Sequence, residues 1–198
     1  MSVQITIDAT ALHEAAKRIH DKMGPEVVTH ALGVAVGKTR QFAVDTVAAQ
    51  VSALYNISAA EVKASAGTED GVMGVSYTTG TGGVLASITF SGRKLTLDYF
   101  DFSPGTPPPT RSGYYAVVGE IYRGSPKVLG GSNFFVPRGG DVPIIPFERT
   151  IGEPRFPIKS VRTVSIPQMI LNENLKDPIT EAINTHLFDA FMEQFGEE

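Results

Sequence analysis

The sequence predicts an α+β fold, in which N-terminal helices and a C-terminal helix pack on an antiparallel β-sheet. Two regions, residues 11–64 and 177–195, carry apolar side chains at helical spacing. Between them, β-branched and aromatic residues alternate with Gly and Pro, which is typical of strands joined by turns. A chain of 198 residues with 42% hydrophobic residues can bury one ordinary core, so we expect a single domain. Its parts are a strand with helices (1–66), a β-rich region with exposed Pro and Gly loops (67–170) and an amphipathic helix (171–198).

The N-terminal part begins with a short strand and continues as a helix. Apolar residues at positions 3, 5 and 7 alternate with polar ones, and this period of two predicts a half-buried strand. Asp8 or Thr10 can then cap a helix that begins near Ala11. We expect this first helix to end at Gly24.

A second, longer helix is predicted directly after this glycine. Pro25 suits the first turn of a helix, and the helical pattern that follows runs to about Leu54. Ser58 and Glu61 then have the spacing of a capping box, which predicts a short third helix to about Ala64. The apolar face of the second helix is predicted to comprise Val28, Ala31, Leu32, Ala35 and Phe42.

The middle of the chain predicts strands separated by turns. Residues 72–79 (VMGVSYTT), 83–90 (GVLASITF) and 95–102 (LTLDYFDF) are rich in β-branched and aromatic residues. Residues 103–112 (SPGTPPPTRS) predict an exposed loop, because proline has no N–H for a ladder hydrogen bond. Further strands are predicted at residues 114–122 and 133–136, and the sheet is expected to extend to residue 170.

The C-terminal helix has the strongest pattern in the chain. Asp177 and Pro178 have the form of an N-cap followed by a first-turn proline. Acidic residues lie mostly opposite the apolar face, at Glu181, Asp189 and Glu193. The predicted apolar face comprises Ile179, Ala182, Ile183, Leu187, Ala190, Phe191 and Phe195.

Composition limits the classes of function. The formal net charge of −4 offers no general attraction for nucleic acid, and the absence of Cys excludes disulfides and thiolate chemistry. Neither a signal peptide nor a membrane span is encoded, so we expect a soluble protein made in a cytoplasm.

No residue pattern predicts catalysis, a cofactor or a metal. The four histidines, at positions 13, 20, 30 and 186, lie on predicted helices without the spacing of a metal site and are interpreted as solvated. Asp98 and Asp101 are the best carboxylate pair, but residues three apart on a strand point to opposite faces. The glycine clusters at 80–83 and 130–131 do not match a phosphate-binding loop.

Charge is segregated along the chain. Residues 171–198 carry one Lys against seven Asp and Glu, whereas residues 71–170 carry ten Lys and Arg against six acids. The concentrated basic stretch consists of Arg149, Arg155, Lys159 and Arg162, interleaved with Phe and Pro. Such a stretch suits either a nucleic-acid groove or contact with an acidic partner, and the acidic C-terminal helix favours the second. The predicted subunit interface therefore joins these four cations to Glu181, Asp189 and Glu193, head to tail between identical copies, which builds a ring where the rotation closes.

Residues 147–170, FERTIGEPRFPIKSVRTVSIPQMI, resemble the C-terminal motif of the prophage minor tail protein Z family. The opening strand, the two helices and the strand pair 83–90 and 93–104 also follow in that family's order. The resemblance implies a non-enzymatic minor tail or tail-completion protein of a long-tailed bacteriophage or prophage. It would form a ring, with a hexamer as the count that tail symmetry suggests, contact tube or connector proteins, and reside in the virion tail after synthesis in the host cytoplasm. Members of the family are more basic in the second helix, where this chain has Lys38 and Arg40, so contact with DNA in the tail lumen is expected to be incidental. The PPP loop and residues 114–129 resemble an insertion relative to the family.

Tyrosines support an alternative function. Tyr99, Tyr114, Tyr115 and Tyr122 could form a stacking surface for a carbohydrate or another small ligand. Aromatic residues at alternating strand positions more often pack in hairpins, which favours the structural role. An enzyme is the third hypothesis, and it requires an enclosed polar pocket.

Overall fold

The computed structural model describes residues 2–7, 10–65, 73–78, 83–105, 116–129, 133–136, 145–149 and 158–196. Within them, helices combine with small antiparallel sheets, so the α+β prediction is confirmed. The helices are α1 (Thr10–Met23), α2 (Pro25–Leu54), α3 (Ala59–Ala64), α4 (Ile166–Ile170) and α5 (Glu173–Met192).

The predicted N-terminal elements are confirmed. Gly24 separates α1 from α2, and its φ of 91° lies in the region that favours glycine. Pro25 then occupies the first turn of α2, where a missing N–H costs no helical hydrogen bond. The Ser58 hydroxyl caps α3 by accepting from the Glu61 N–H at 3.2 Å.

In the described part of the chain, the strands form three three-stranded antiparallel sheets rather than the single sheet that we predicted. In each sheet, one strand lies between the other two. The orders are β1-β3-β2, β4-β5-β6 and β7-β8-β9. The strands are β1 (Ser2–Ile7), β2 (Met73–Thr78), β3 (Gly83–Ser91), β4 (Asp101–Ser103), β5 (Val117–Tyr122), β6 (Ser125–Leu129), β7 (Asn133–Val136), β8 (Ile145–Arg149) and β9 (Ile158–Ser160).

Helices α2 and α5 run antiparallel and form the centre of the core. At one end, the Asn172 amide donates to the Tyr55 hydroxyl at 3.1 Å, and at the other, Lys38 pairs with Glu193 at 2.7 Å. Small side chains on α2 let the backbones approach closely, while α5 supplies larger ones. The fully buried residues of this contact include Ala35, Ala43, Val47 and Val51 from α2, and Ile179, Ile183, Leu187 and Phe191 from α5.

The predicted start of the C-terminal helix was wrong. Helix α5 begins at Glu173, capped by Asn172, whose side-chain oxygen accepts from the Asn174 N–H at 3.0 Å. Pro178 therefore lies inside the helix rather than at its start. The burial of Leu175 against the core, which Asp177 and Pro178 do not share, explains why the helix begins a turn earlier.

The strand predicted at residues 95–102 was also wrong over most of its length. Leu97–Tyr99 forms a 3₁₀ turn, and the strand begins only at Asp101. The turn brings Leu97 and Phe100, three residues apart, into the same core. A straight strand would point two such residues to opposite faces.

The last part of the predicted β-rich region is helical. Helix α4 opens with a capping box in which Ser165 and Gln168 satisfy each other's backbone N–H groups. Ile166, Met169 and Ile170 are buried. The strand predicted at residues 114–122 is confirmed over Val117–Tyr122 (β5), which forms a hairpin with β6 through a turn at Gly124 (φ 73°). The rest of the predicted Pro-rich loop, residues 106–112, lies outside the described residues.

Candidate functional site

Three cations line a small cleft, which we call the basic cleft. Its charged residues are Arg93, Lys94, Arg162 and Asp98, and its volume is about 280 Å³. The three cationic side chains are exposed to solvent. Strands β8 and β9, the 3₁₀ turn and the two residues before it supply the rest of the lining: Leu95, Thr96, Tyr99, Ile145, Phe147 and Ser160.

Backbone pairing between distant parts of the chain builds this cleft. The Leu95 N–H donates to the Val164 carbonyl at 3.2 Å, and the Thr163 N–H donates to the Leu95 carbonyl at 2.8 Å. Thr96 and Arg162 lie opposite each other in the same antiparallel bridge. Arg162 is thereby held beside Arg93 and Lys94, which are far from it in sequence.

The two aspartates considered for acid–base chemistry serve different contacts. Asp101 accepts a hydrogen bond from the Asn56 amide at 2.9 Å. Asp98 lines the basic cleft, and its buried Oδ1 atom has no hydrogen-bond partner among the described residues. The pair therefore does not converge on a common reacting atom.

A second, larger depression lies at the C-terminal end of α5, and we call it the acidic groove. Its volume is about 1010 Å³. Asp189 and Glu193 carry its negative charge, and the Lys38–Glu193 ion pair of 2.7 Å crosses from α2 to α5. The other lining residues are His186, Phe188, Ala190, Met192 and Gly196.

His186 is half-buried in this groove, unlike the solvated residue that we predicted. Its ring stacks on Phe42 with centroids 4.0 Å apart and an interplanar angle of 16°. Its Nδ1 atom lies 3.1 Å from the hydroxyl of Thr39, which is fully buried and also lies 2.8 Å from the Ala35 carbonyl. These contacts give His186 a packing role between α2 and α5.

The structure does not bring the predicted interface residues together on one surface of the subunit. Arg162 lines the basic cleft, and Asp189 and Glu193 line the acidic groove. Lys159 pairs within the chain with Glu148 at 3.2 Å. Glu181 is exposed midway along α5. Arg155 and the side chain of Arg149 lie outside the described residues.

Sequence reasoning missed Arg93 and Lys94. They form an adjacent basic pair directly after β3, and no local pattern connects them with Arg162. It also missed Lys38 as the partner of Glu193. The adjacent pair was the available signal, but its neighbours in space are set by the Leu95–Val164 pairing.

Tyr99 and Tyr122, the two described tyrosines of the alternative hypothesis, lie in different parts of the structure. Tyr99 lines the basic cleft, whereas Tyr122 packs on Tyr55 with ring centroids 4.7 Å apart and hydroxyls 3.3 Å apart. Burial is the main cause that raises the pKa of Tyr55 to about 12, and the hydrogen bond with Tyr122 is the second cause. Tyr114 and Tyr115 lie outside the described residues.

Within the described ranges, no three or more His, Asp or Glu side chains are grouped so that they could hold a metal ion. None of the helices described is both long and apolar enough to span a membrane. Comparisons with protein-family models, curated proteins and solved structures each find no match to this chain.

Proposed function

We propose that this chain is a non-enzymatic structural subunit of the tail of a long-tailed bacteriophage or prophage. Identical copies associate head to tail into a ring at one end of the tail tube, and a hexamer would match tail symmetry. The ring contacts tube or connector proteins and is part of the virion tail. The similarity of residues 147–170 to the minor tail protein Z motif supports this assignment.

The observation that carries the self-association is the separation of opposite charges. The basic cleft lies towards the Tyr55 end of the α2–α5 pair, since its residues Arg93, Leu95 and Tyr99 also line a pocket with residues of α3, which follows Tyr55. The acidic groove lies at the Lys38 end. With a helix rise of ~1.5 Å per residue, Lys38 lies about 25 Å from Tyr55 along α2. Two complementary surfaces this far apart on one rigid pair favour heterologous contacts between copies.

The described part of the motif segment has a scaffold role that fits this proposal. Ser165, Ile166 and Met169 are buried, and they connect the sheets to the helix pair. Of the two exposed cations described in this segment, Lys159 pairs with Glu148, whereas Arg162 forms no ion pair among the described residues. Arg162 is therefore available to a neighbouring subunit, while the buried residues of the segment anchor it in the core.

Two measurements test the proposal. Mass photometry and sedimentation velocity should detect a defined ring, either for the chain alone at high concentration or with its tail partners. Mass spectrometry and immunogold labelling of phage particles from cells that carry the gene should locate the chain at a tail end. A monomer under all these conditions, together with absence from purified tails, would refute the proposal.

A further inference from the structure

Helix α5 carries a row of exposed side chains at every fourth position, and all but one are acidic. Residues four apart on a helix lie next to each other, so the row forms a continuous ridge. Its single uncharged member is Thr185. We call this ridge the acidic row; its members are Glu173, Asp177, Glu181, Thr185, Asp189 and Glu193.

The acidic row is unfavourable in the isolated subunit. Like charges four residues apart on a helix repel each other and destabilise it. Asp189 and Glu193 also lie at the C-terminal end, where the helix dipole disfavours negative charge, and the last turn of α5 contains no basic residue. Among the described residues, the ion pair that involves this row is Lys38–Glu193. Cations from outside the subunit would offset the remaining repulsion.

The basic cleft has the complementary charge. Arg93, Lys94 and Arg162 outnumber the single carboxylate of Asp98, and none of the three forms an ion pair within the described part of the chain. A partner that brings carboxylates would supply the negative charge that the cleft lacks.

We propose that the acidic row of one copy docks in the basic cleft of the next, with Glu181 and Asp189 facing Arg93, Lys94 and Arg162. This inference rests on the proposed self-association and names its contact. Asp189 lies at the Lys38 end of the α2–α5 pair, whereas the basic cleft lies towards the Tyr55 end. Because Asp189 cannot reach the cleft of its own subunit, the occupant of the cleft is a second copy. Of the predicted basic stretch, Arg162 takes part in this contact, together with Arg93 and Lys94.

A charge swap tests the contact in the full-length chain. Arg162→Glu and Asp189→Arg should each weaken self-association at least about tenfold, because each places like charges together. The double variant restores opposite charges at every contact and should recover most of the affinity. Glu14→Arg and Lys17→Glu, exposed substitutions on α1, are the matched controls and should leave assembly unchanged. Urea unfolding of every variant confirms that the fold is retained.

Rescue by the double charge swap supports the contact. If the wild-type chain forms rings and the swap fails to rescue, this contact is refuted while the proposed function stands. If the wild-type chain forms no ring even with tail partners, both are refuted.

Discussion

Different kinds of contact connect α2 and α5 at the two ends of the pair: hydrogen bonds at the Tyr55 end and an exposed ion pair at the Lys38 end. At the Tyr55 end, neutral groups form a largely buried network, in which the Asn172 amide donates to Tyr55 at 3.1 Å and the Tyr55 and Tyr122 hydroxyls lie 3.3 Å apart. The Arg123 guanidinium adds two hydrogen bonds to the Ser52 carbonyl, at 3.1 and 2.9 Å, near the C-terminal end of α2. At the Lys38 end, the Lys38–Glu193 pair has side chains that are 45% and 66% exposed.

This difference indicates which contacts stabilise the folded subunit and which govern association between subunits. Hydrogen bonds among buried neutral groups persist in the monomer, and removing one partner leaves another unsatisfied. An exposed ion pair contributes little to folding, because water and salt screen it. We therefore expect the Tyr55 end to stabilise the fold and the charged surfaces to govern association.

The largest effect is expected from removing the Tyr55 side chain. Tyr55→Ala deletes a ring that is 2% exposed together with its two hydroxyl contacts, so the free energy of unfolding should fall by about 3–5 kcal/mol. Tyr55→Phe keeps the ring and should cost about 1 kcal/mol. Urea denaturation followed by circular dichroism measures both. Equal losses for the two variants would assign the contribution to the hydroxyl rather than to packing.

A smaller loss is expected from Gly119→Ala in β5. A Cβ atom there would lie 2.6 Å from Leu129 Cδ1 and 2.9 Å from Leu97 Cδ1, so these side chains must move, at a cost of about 1–3 kcal/mol. Gly33→Ala on α2 is the matched control, because its Cβ would meet nothing within 4 Å. That substitution should stabilise the protein by roughly 0.5–1 kcal/mol. Thermal unfolding should therefore shift in opposite directions for the two variants.

Alkaline pH should weaken the Tyr55 end specifically. Burial raises the pKa of Tyr55 from 10.0 to about 12, so the folded chain retains a proton that the unfolded chain releases first. The resulting stability is fully present below pH 10 and is lost as the pH rises toward 12. Urea midpoints measured from pH 9 to 12 should fall more steeply for wild type than for Tyr55→Phe. Parallel slopes would show that Tyr55 does not contribute.

The smallest effect on folding is expected at the Lys38 end. Lys38→Met removes the exposed ion pair and should change the free energy of unfolding by no more than about 1 kcal/mol. Lys17→Met, an exposed cation on α1, serves as the control for loss of charge alone. Urea denaturation at low and high salt should give nearly the same free energy of unfolding for the wild type, Lys38→Met and Lys17→Met. A loss of several kcal/mol for Lys38→Met would remove the distinction between the two ends.

Local signals explain which parts of the fold were predictable. Gly24-Pro25 and the Ser58 cap act through the backbone of their own segment, so the ends of α1, α2 and α3 follow from neighbouring residues. The 3₁₀ turn at Leu97–Tyr99 and the start of α5 did not follow, because burial of Leu97 and Leu175 against distant residues overrides the local pattern. The capping box of Ser165 and Gln168 was visible in the sequence, but the apolar residues around it resembled a strand.

The sequence by itself determined the α+β class, the long helices and the concentration of acidic charge near the C-terminus, since each depends on spacing along the chain. Only the tertiary structure decided which charges share a surface. Pairing of Leu95 with Val164 brings Arg93 and Lys94 to Arg162, and the antiparallel packing of α2 on α5 brings Lys38 to Glu193. The physical reason is that burial and long-range backbone hydrogen bonds set these neighbours, and neither leaves a periodic signal in the segments that they join.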